Sequence, residues 1–394
     1  MVNDLGAQLF PAGVGRGARR RGRVGPGYRE AMADAVTLTA PGPDGDERRV
    51  RLSSPDKVVW PATDRGAAIT KAGLAAYLQA VAEPMLRGLA DRPVTLQRVR
   101  GGIEGEEFYS KNPPKGVPEW SRTTEVTYPS GRSHPQLVVD DPATLLWTAQ
   151  MGTVTWHPWP VRTGDNDHPD EVRVDLDPQP GRSYRDVVEA AHGLREVMTR
   201  VGLRPHVKTT GSRGVHVFAA VRPSLEFLDV RHAVIGIARE LERSLPDLVT
   251  TAWWKEERGE KIFVDYNQAT RDRTLAAAWS PRILPGAPVS VPVPWDRLDD
   301  VDPTTLTVHT VPGWLAEHGD PWADLHAGPG DLSAAHALWE ADLERGLGEL
   351  SFPPDHPKMP GEPPRVQPSK KVAEHWDGDG NRVEPPRRRS DRAD

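Results

Sequence analysis

The chain contains no cysteine, which removes disulfide frameworks and thiolate zinc sites together. No stretch approaches the roughly 18 consecutive apolar residues that a transmembrane helix needs, and the arginine-rich segment from Arg16 to Arg23 is not followed by the apolar core of a secretory signal. The expectation is a cytoplasmic protein with no membrane partner. A basic excess is missing too: 50 Lys and Arg stand against 56 Asp and Glu, with a net charge of −6 and a pI near 6.1. Strong nonspecific binding to nucleic acid needs such an excess, so any contact with a polyanion must come from local patches. Lys57, Lys71, Arg98, Arg100, Lys111 and Lys115 form the candidate patch, all in the N-terminal part. Residues 1–46 and the Pro- and Arg-rich residues 351–394 have little apolar periodicity and are expected to be disordered extensions.

What the chain does have is Val172-Arg-Val-Asp-Leu-Asp177. Strand alternation puts Val172, Val174 and Leu176 on one face and Arg173, Asp175 and Asp177 on the other. Two strand residues at about 3.3–3.4 Å rise place the carboxylates roughly 7 Å apart along the backbone, within reach of one divalent ion or an adjacent pair. Acidic residues are poor strand formers, and Pro178 ends the strand. In isolation the pair would better suit a solvated loop edge; the segments that follow move the balance.

A helix opens at Ser183 with Asp186 three residues on, carries Val187, Ala191, Leu194, Met198 and Val201 on one side, and stops at Gly202. His206–Thr210 and Val215–Val221 read as a hairpin across Gly211-Ser-Arg-Gly214. A second helix follows, with Val230, Ala233, Val234, Ile237 and Leu241 on its apolar side, and then a strand over Lys261–Asp265. The order β-α-β-β-α-β is the ferredoxin-like split arrangement, in which the first strand lies between the third and the fourth. Asp175 and Asp177 then have His216 on one side and Asp265 on the other. Three carboxylates on one sheet face repel one another unless spread in water or holding metal. Oxygen ligands suit two Mg²⁺ or Mn²⁺ ions, and a two-metal carboxylate site serves displacement at phosphorus. A phosphate ester or nucleoside triphosphate is the expected substrate.

The turn Lys208-Thr-Thr-Gly-Ser-Arg-Gly-Val-His216 gathers two hydroxyls, exposed backbone N–H groups and the cations Lys208 and Arg213, a composition that suits a triphosphate. Further arginines, Arg258, Arg271, Arg273 and Arg282, bracket Asp265, and the guanidinium fork matches phosphate oxygens.

Together Trp156-His-Pro-Trp159, Val174-Asp-Leu-Asp-Pro178, the Lys208–His216 turn and Phe263-Val-Asp-Tyr-Asn-Gln268 resemble the polymerase domain of bacterial ligase D, of the archaeo-eukaryotic primase superfamily. The resemblance begins near Leu52-Ser-Ser-Pro-Asp-Lys-Val-Val-Trp-Pro61, runs through Ile69-Thr-Lys71, Asp91-Arg-Pro93, Phe108-Tyr-Ser-Lys111 and Arg271-Asp-Arg-Thr274, and ends around Gly319-Asp-Pro-Trp322. It implies an α+β fold: a primase-type core with the ferredoxin-like unit and an N-terminal α/β part packed on it. It also implies metal binding and catalysis by Asp175, Asp177 and Asp265, and nucleotide binding by His157, Thr210, Arg213, His216, Arg258, Arg273 and Arg282. Lys57 and Lys71 match the pair that recognises a 5′-phosphate on the downstream DNA strand, and Arg98, Phe108, Tyr109 and Lys111 match template-DNA contacts. Thr210 stands where serine is commoner in the family and keeps the hydroxyl; Tyr109 replaces one of two phenylalanines and keeps a stacking face.

The expected domains are residues 47–150, facing the DNA end, and residues 151–350, carrying the catalytic sheet. The first includes a helix opened by Thr70 with Leu74, Tyr77, Leu78, Val81 and Met85 on one side, and the second closes with a helix near 332–347. Trp147, Trp156, Trp159, Trp253, Trp254 and Trp279 are expected in the core. The expected function is template-directed addition of nucleotides to a primer 3′-OH at DNA gaps or breaks in non-homologous end joining; in the family that the chain resembles, ribonucleotides are commonly preferred and Mn²⁺ is often the better metal, while the sequence itself fixes neither preference. By resemblance the partners are a Ku-type protein and an ATP-dependent DNA ligase, and the chain reads as a stand-alone polymerase. A primer-independent primase shares every catalytic residue, and a non-catalytic end-bridging protein would use Lys57 and Lys71 alone.

Overall fold

The computed structural model describes residues 35–42, 44–128 and 132–350. Of the two expected extensions, residues 1–34 and 351–394 lie outside the described residues. The N-terminal extension does not reach residue 46: Val36–Pro41 is a strand, paired antiparallel with Glu47–Leu52. Ala40 turns inward there and joins Val50 and Leu52 in the core, a contribution of one buried side chain too sparse to show as periodicity.

Thr70 caps the next helix by accepting from the Gly73 N–H, as its sequence predicts. The helix is interrupted at Val81, giving Lys71–Ala80 and then Ala82–Leu89. Pro84 lies in the second piece and has no N–H to offer the carbonyl of Ala80 four residues back, so a continuous helix cannot pass it without a break. Leu74, Tyr77, Leu78, Val81 and Met85 nevertheless all reach one core.

That core lies against a five-stranded sheet. The central strand Pro93–Arg100 pairs with Glu106–Ser110, Ser133–Val138 and Thr153–Pro158, and Ser133–Val138 pairs onward with Thr123–Thr127. The division expected near residue 150 therefore falls inside a sheet, because Thr153–Pro158 completes it. The chain also returns later: Leu275, Trp279, Val289, Val291, Leu306 and Trp322 pack into this first core.

The second core belongs to the ferredoxin-like unit. Its sheet runs in the order Val249–Thr250, Ile262–Asp265, Glu171–Pro178, Val215–Ala220, His206–Thr209, Pro292–Val293, so the first strand of the unit lies between the third and the fourth. Val172, Val174, Leu176, Val215 and Val217 face the helices Tyr184–Arg200 and Phe227–Ser244. Tyr184–Arg200 starts with the expected capping box, in which Ser183 and Asp186 exchange side-chain and backbone hydrogen bonds, and it ends before Gly202, at φ +83°. The last helix among the described residues is Ser333–Glu344, packed on Phe227–Ser244. Trp147, Trp156, Trp159 and Trp279 are buried; Trp253 and Trp254 are only partly so.

Candidate active site

Strand register builds the centre of the site. Asp175 is paired with Asp265 on one neighbouring strand and with His216 on the other, and His216 is paired in turn with Lys208. Period-2 alternation turns Asp175, His216 and Lys208 to the sheet face opposite the helices, so residues up to ninety positions apart form one transverse row. Asp177, two residues further, shares the face. Asp175 keeps 22 % of its side chain accessible and Asp177 50 %: the first lies at the floor of a cleft, the second at its rim.

Burial, then the neighbouring Asp265 and Asp177 carboxylates, push the Asp175 carboxyl up to about 8. Asp265 is raised as well, chiefly by burial, although it accepts from the Asn267 N–H at 3.0 Å and from Gln268 Nε2 at 2.6 Å. Each of its oxygens still has a lone pair for a cation. Three oxygen-donor carboxylates without enough positive charge between them match a pair of hard divalent ions, and the raised carboxyls are the sign of that shortfall.

Across the row, the Lys208 Nζ lies 2.7 Å from His216 Nδ1 and 2.5 Å from Ser290 Oγ. Donation by Lys208 to Nδ1 would leave the imidazole proton on Nε2, which lies 3.4 Å from Asp175 Oδ1. Lys208 itself is fully buried. It is not among the residues that line the cleft, where its place in the turn suggested a phosphate contact; it lies under His216 and against Ser290.

The cleft, about 280 Å³, is lined by His157, Asp175, Asp177, Thr210, Ser212, Arg213, His216 and Arg282, with Thr274–Ala276 along one wall. The hairpin turn brings Arg213 and Ser212 to the surface, and its two glycines fix where it sits. A Cβ on Gly211, at φ +70°, would come within 2.7 Å of the Arg282 side chain, and one on Gly214 within 2.4 Å of the Leu176 carbonyl; both positions need glycine for the turn to lie this close to the aspartate strand. Thr210 Oγ1 accepts from the Ser212 N–H at 3.1 Å, a bond that shapes the turn and still leaves the hydroxyl proton as a donor. Arg282 donates to the Thr210 carbonyl. His157 enters from the first sheet, where it is paired with Thr95, and is hydrogen-bonded to Gln97 Oε1 at 3.0 Å. Burial and the Arg282 and Lys208 cations hold it down to about 3, so it is neutral.

The remaining expected residues are placed differently. Arg258 is buried, donates to the Ala252 and Trp253 carbonyls, stacks 3.6 Å from the Phe263 ring centroid, and ends 3.9 Å from Asp177; it braces the aspartates and does not line the cleft. Arg273 acts electrostatically on Asp265. Tyr109, 55 % exposed, meets the His157 ring edge-on at 5.6 Å, while Phe108 lies under the Arg98 and Arg100 guanidinium groups. Arg98 is committed inward, donating to the Met151 carbonyl and Ser110 Oγ, and Lys111 pairs with Asp272 at 3.2 Å. Ser290, Gln97 and Gln268, which orient Lys208, His157 and Asp265, were not singled out in the sequence. Gln268 lies inside a quoted motif; the other two carry no local signal.

A second, separate pocket of about 200 Å³ is lined by Lys57, Lys71, Arg100, Gln150 and the Gly101–Gly102 turn. Lys71 Nζ donates to the Ser53 carbonyl and Gln150 Oε1, both at 2.7 Å, and burial and the nearby Lys57 charge lower its pKa. Lys57 and Lys71 meet there without a carboxylate in the lining, and Arg100, the third cation, is ion-paired with Glu106 at 2.6 Å.

The family model for the LigD primase-polymerase domain matches residues 70–322. Similar proteins include the multifunctional non-homologous end joining protein LigD of Mycolicibacterium smegmatis, 32 % identical over 72 % of this chain and 37 % of the relative. The LigD protein of Pseudomonas aeruginosa is 29 % identical over 78 % of this chain and 36 % of its own length. The chain thus spans little more than a third of these two curated relatives. Among solved structures, the polymerase domain from Mycobacterium tuberculosis ligase D in complex with DNA superposes with a TM-score of 0.66 at 29 % identity, covering 71 % of this chain and 99 % of that one.

Proposed function

This chain belongs to the LigD primase-polymerase family, nucleotidyltransferases of the primase superfamily, and we propose that it extends a primer 3′-OH against a template at DNA gaps and breaks in non-homologous end joining. The observation that carries the proposal is the transverse row Asp265–Asp175–His216–Lys208, with Asp177 beside it and a cationic cleft above. In the reaction the 3′-oxygen attacks the α-phosphorus of a nucleoside triphosphate and pyrophosphate leaves. Two Mg²⁺ or Mn²⁺ ions held by Asp175, Asp177 and Asp265 would lower the pKa of the attacking hydroxyl and neutralise the leaving group.

The chain's own groups do the rest. Arg213 and the N–H groups of its turn receive the outer phosphates, and Arg282 closes the cleft from the other wall. His216 offers its Nε2–H to a phosphate oxygen, its tautomer set by Lys208 from behind. His157, neutral and backed by Gln97, packs toward the sugar beside Tyr109, which offers a stacking surface to DNA. Arg258 and Arg273 moderate the charge on the carboxylates from outside the cleft.

The pocket around Lys57, Lys71 and Arg100 suits a terminal 5′-phosphate: a dianion there removes the repulsion between like charges and gains charge-assisted hydrogen bonds. As partners we propose a Ku-type protein that delivers the DNA end and an ATP-dependent ligase activity that seals it. The test is extension of a gapped DNA with and without a downstream 5′-phosphate, comparing ribo- and deoxynucleotides under Mg²⁺ and Mn²⁺. Templated addition stimulated by the 5′-phosphate is the expected result. Synthesis without a primer would point to a primase, and end binding with no synthesis under either ion would refute the polymerase reading.

A further inference from the structure

On the far side of the second core, away from the cleft, three metal-ligating side chains meet where two helices pack. Asp229 and His232 are one turn apart on Phe227–Ser244, and His336 comes from Ser333–Glu344. One potential ligand atom from each lies within 4.8 Å of the other two, and all three residues are partly exposed, so an ion can enter from solvent.

The surroundings are those of a prepared ligand set. The His232 ring is stacked flat on Trp339, with centroids 4.4 Å apart and planes 4° from parallel. Its Nε2 lies 2.7 Å from Glu349 Oε2, and Glu349 is itself held by the buried Arg231. A carboxylate fixing the orientation of an imidazole and raising its basicity is a common companion of metal-bound histidine. Glu340 stands 3.5 Å from His336 Nδ1. Asp229, by contrast, has no hydrogen-bond or ion-pair partner among the described residues. Its place in the first turn of the helix accounts for an acidic residue, but not for two imidazoles converging on it.

We propose that Asp229, His232 and His336 bind one divalent ion of the zinc class, clamping the C-terminal helix, and the Gly346–Leu350 segment that carries Glu349, to the helix beneath. Two imidazoles and one carboxylate, with water completing the shell, are a donor set for Zn²⁺, Co²⁺ or Ni²⁺ and a poor one for Mg²⁺, which takes oxygen. The site is therefore chemically distinct from the all-oxygen aspartate cluster, and the two should load independently.

The test uses the full, untagged chain with millimolar Mg²⁺ present throughout, so that the aspartates are occupied. Calorimetric titration should find one Zn²⁺ per chain, and Zn²⁺ at a hundredfold excess over its dissociation constant should raise Tm by roughly 5 °C. His336→Asn and Asp229→Asn should each weaken Zn²⁺ binding by at least about tenfold and lose the shift in Tm, while His336→Asn extends gapped DNA under Mg²⁺ at the parent rate. Absence of a Zn²⁺-dependent shift in the parent chain would overturn the proposal without any variant. An equal shift in both variants would place the ion elsewhere and overturn it as well.

Discussion

Glu171, Arg173, Asp175 and Asp177 alternate along a single strand and share one face of it, yet its two ends treat charge in opposite ways. At the first end Glu171 is fully enclosed and neutralised: it lies 2.6 Å from Arg92 and 2.7 Å from Arg173, with His326 at 3.1 Å. Burial opposes its ionisation, but the two guanidinium groups outweigh it and hold the carboxyl well below the usual range. At the other end burial is joined by two more carboxylates, and Asp175 is pushed up to about 8. A buried charge cluster that balances itself belongs to the architecture; one left with a surplus of a single sign belongs to a ligand that brings the missing charge. The first cluster also has a positional role, since Arg173 donates to the Pro158 and Trp159 carbonyls beside His157 and so ties the two sheets together.

The largest expected effect comes from emptying the unbalanced end. Asp175→Ala or Asp177→Ala should reduce nucleotide addition by at least about a hundredfold, with DNA-end binding measured by fluorescence anisotropy nearly unchanged. Extension near the parent rate in either variant would remove the two-ion assignment. At the balanced end the same kind of change should appear in stability. Glu171→Gln leaves Arg173 buried without its counter-charge, while Arg92 keeps only Asp170 at 2.6 Å, and should cost about 3–5 kcal/mol in urea unfolding. If Glu171→Gln is neutral, the contrast between the two ends is wrong.

The Lys57–Lys71 pocket is the converse case, a surplus of positive charge. Replacing both lysines by Ala should erase the affinity advantage of a 5′-phosphorylated downstream strand, a loss of about 1.5–3 kcal/mol per cation. Anisotropy titrations with phosphorylated and unphosphorylated strands measure it, and an undiminished preference would locate phosphate recognition outside this pocket.

The smallest effect, screened by cleft water, is the pH dependence of the metal-free protein. The Asp175 carboxyl moves from an ordinary 3.8 to about 8 on folding, so across that window the folded chain holds a proton that the unfolded chain has released. Stability in the presence of EDTA should therefore fall as pH rises from about 4 to about 8, and Asp175→Asn should flatten the slope. Millimolar Mg²⁺ should flatten it in the parent chain. An identical slope in parent and variant would assign the titration to other groups.

Local pattern alone determined much of this. The alternation in Val172–Asp177 says which carboxylates share a face, Ser183 and Asp186 announce a capped helix, and the order of elements gives the 4-1-3-2 strand arrangement. Each of these depends on backbone geometry between near neighbours, which sequence spacing encodes directly. The sequence also carried the family, through several motifs in a fixed order. Tertiary structure decided what covers each face. Lys208 is paired with His216 and so turns to the site's side of the sheet, but what meets it there, Ser290, lies eighty-two residues later. The strand Val36–Pro41, the return of residues 275–325 to the first core and the enclosure of Glu171 between Arg92 and Arg173 depend in the same way on partners distant in sequence. Periodicity records the direction in which a side chain points; whether it then meets water, a ligand or another side chain is set by whatever packs on that face, and no local spacing contains that information.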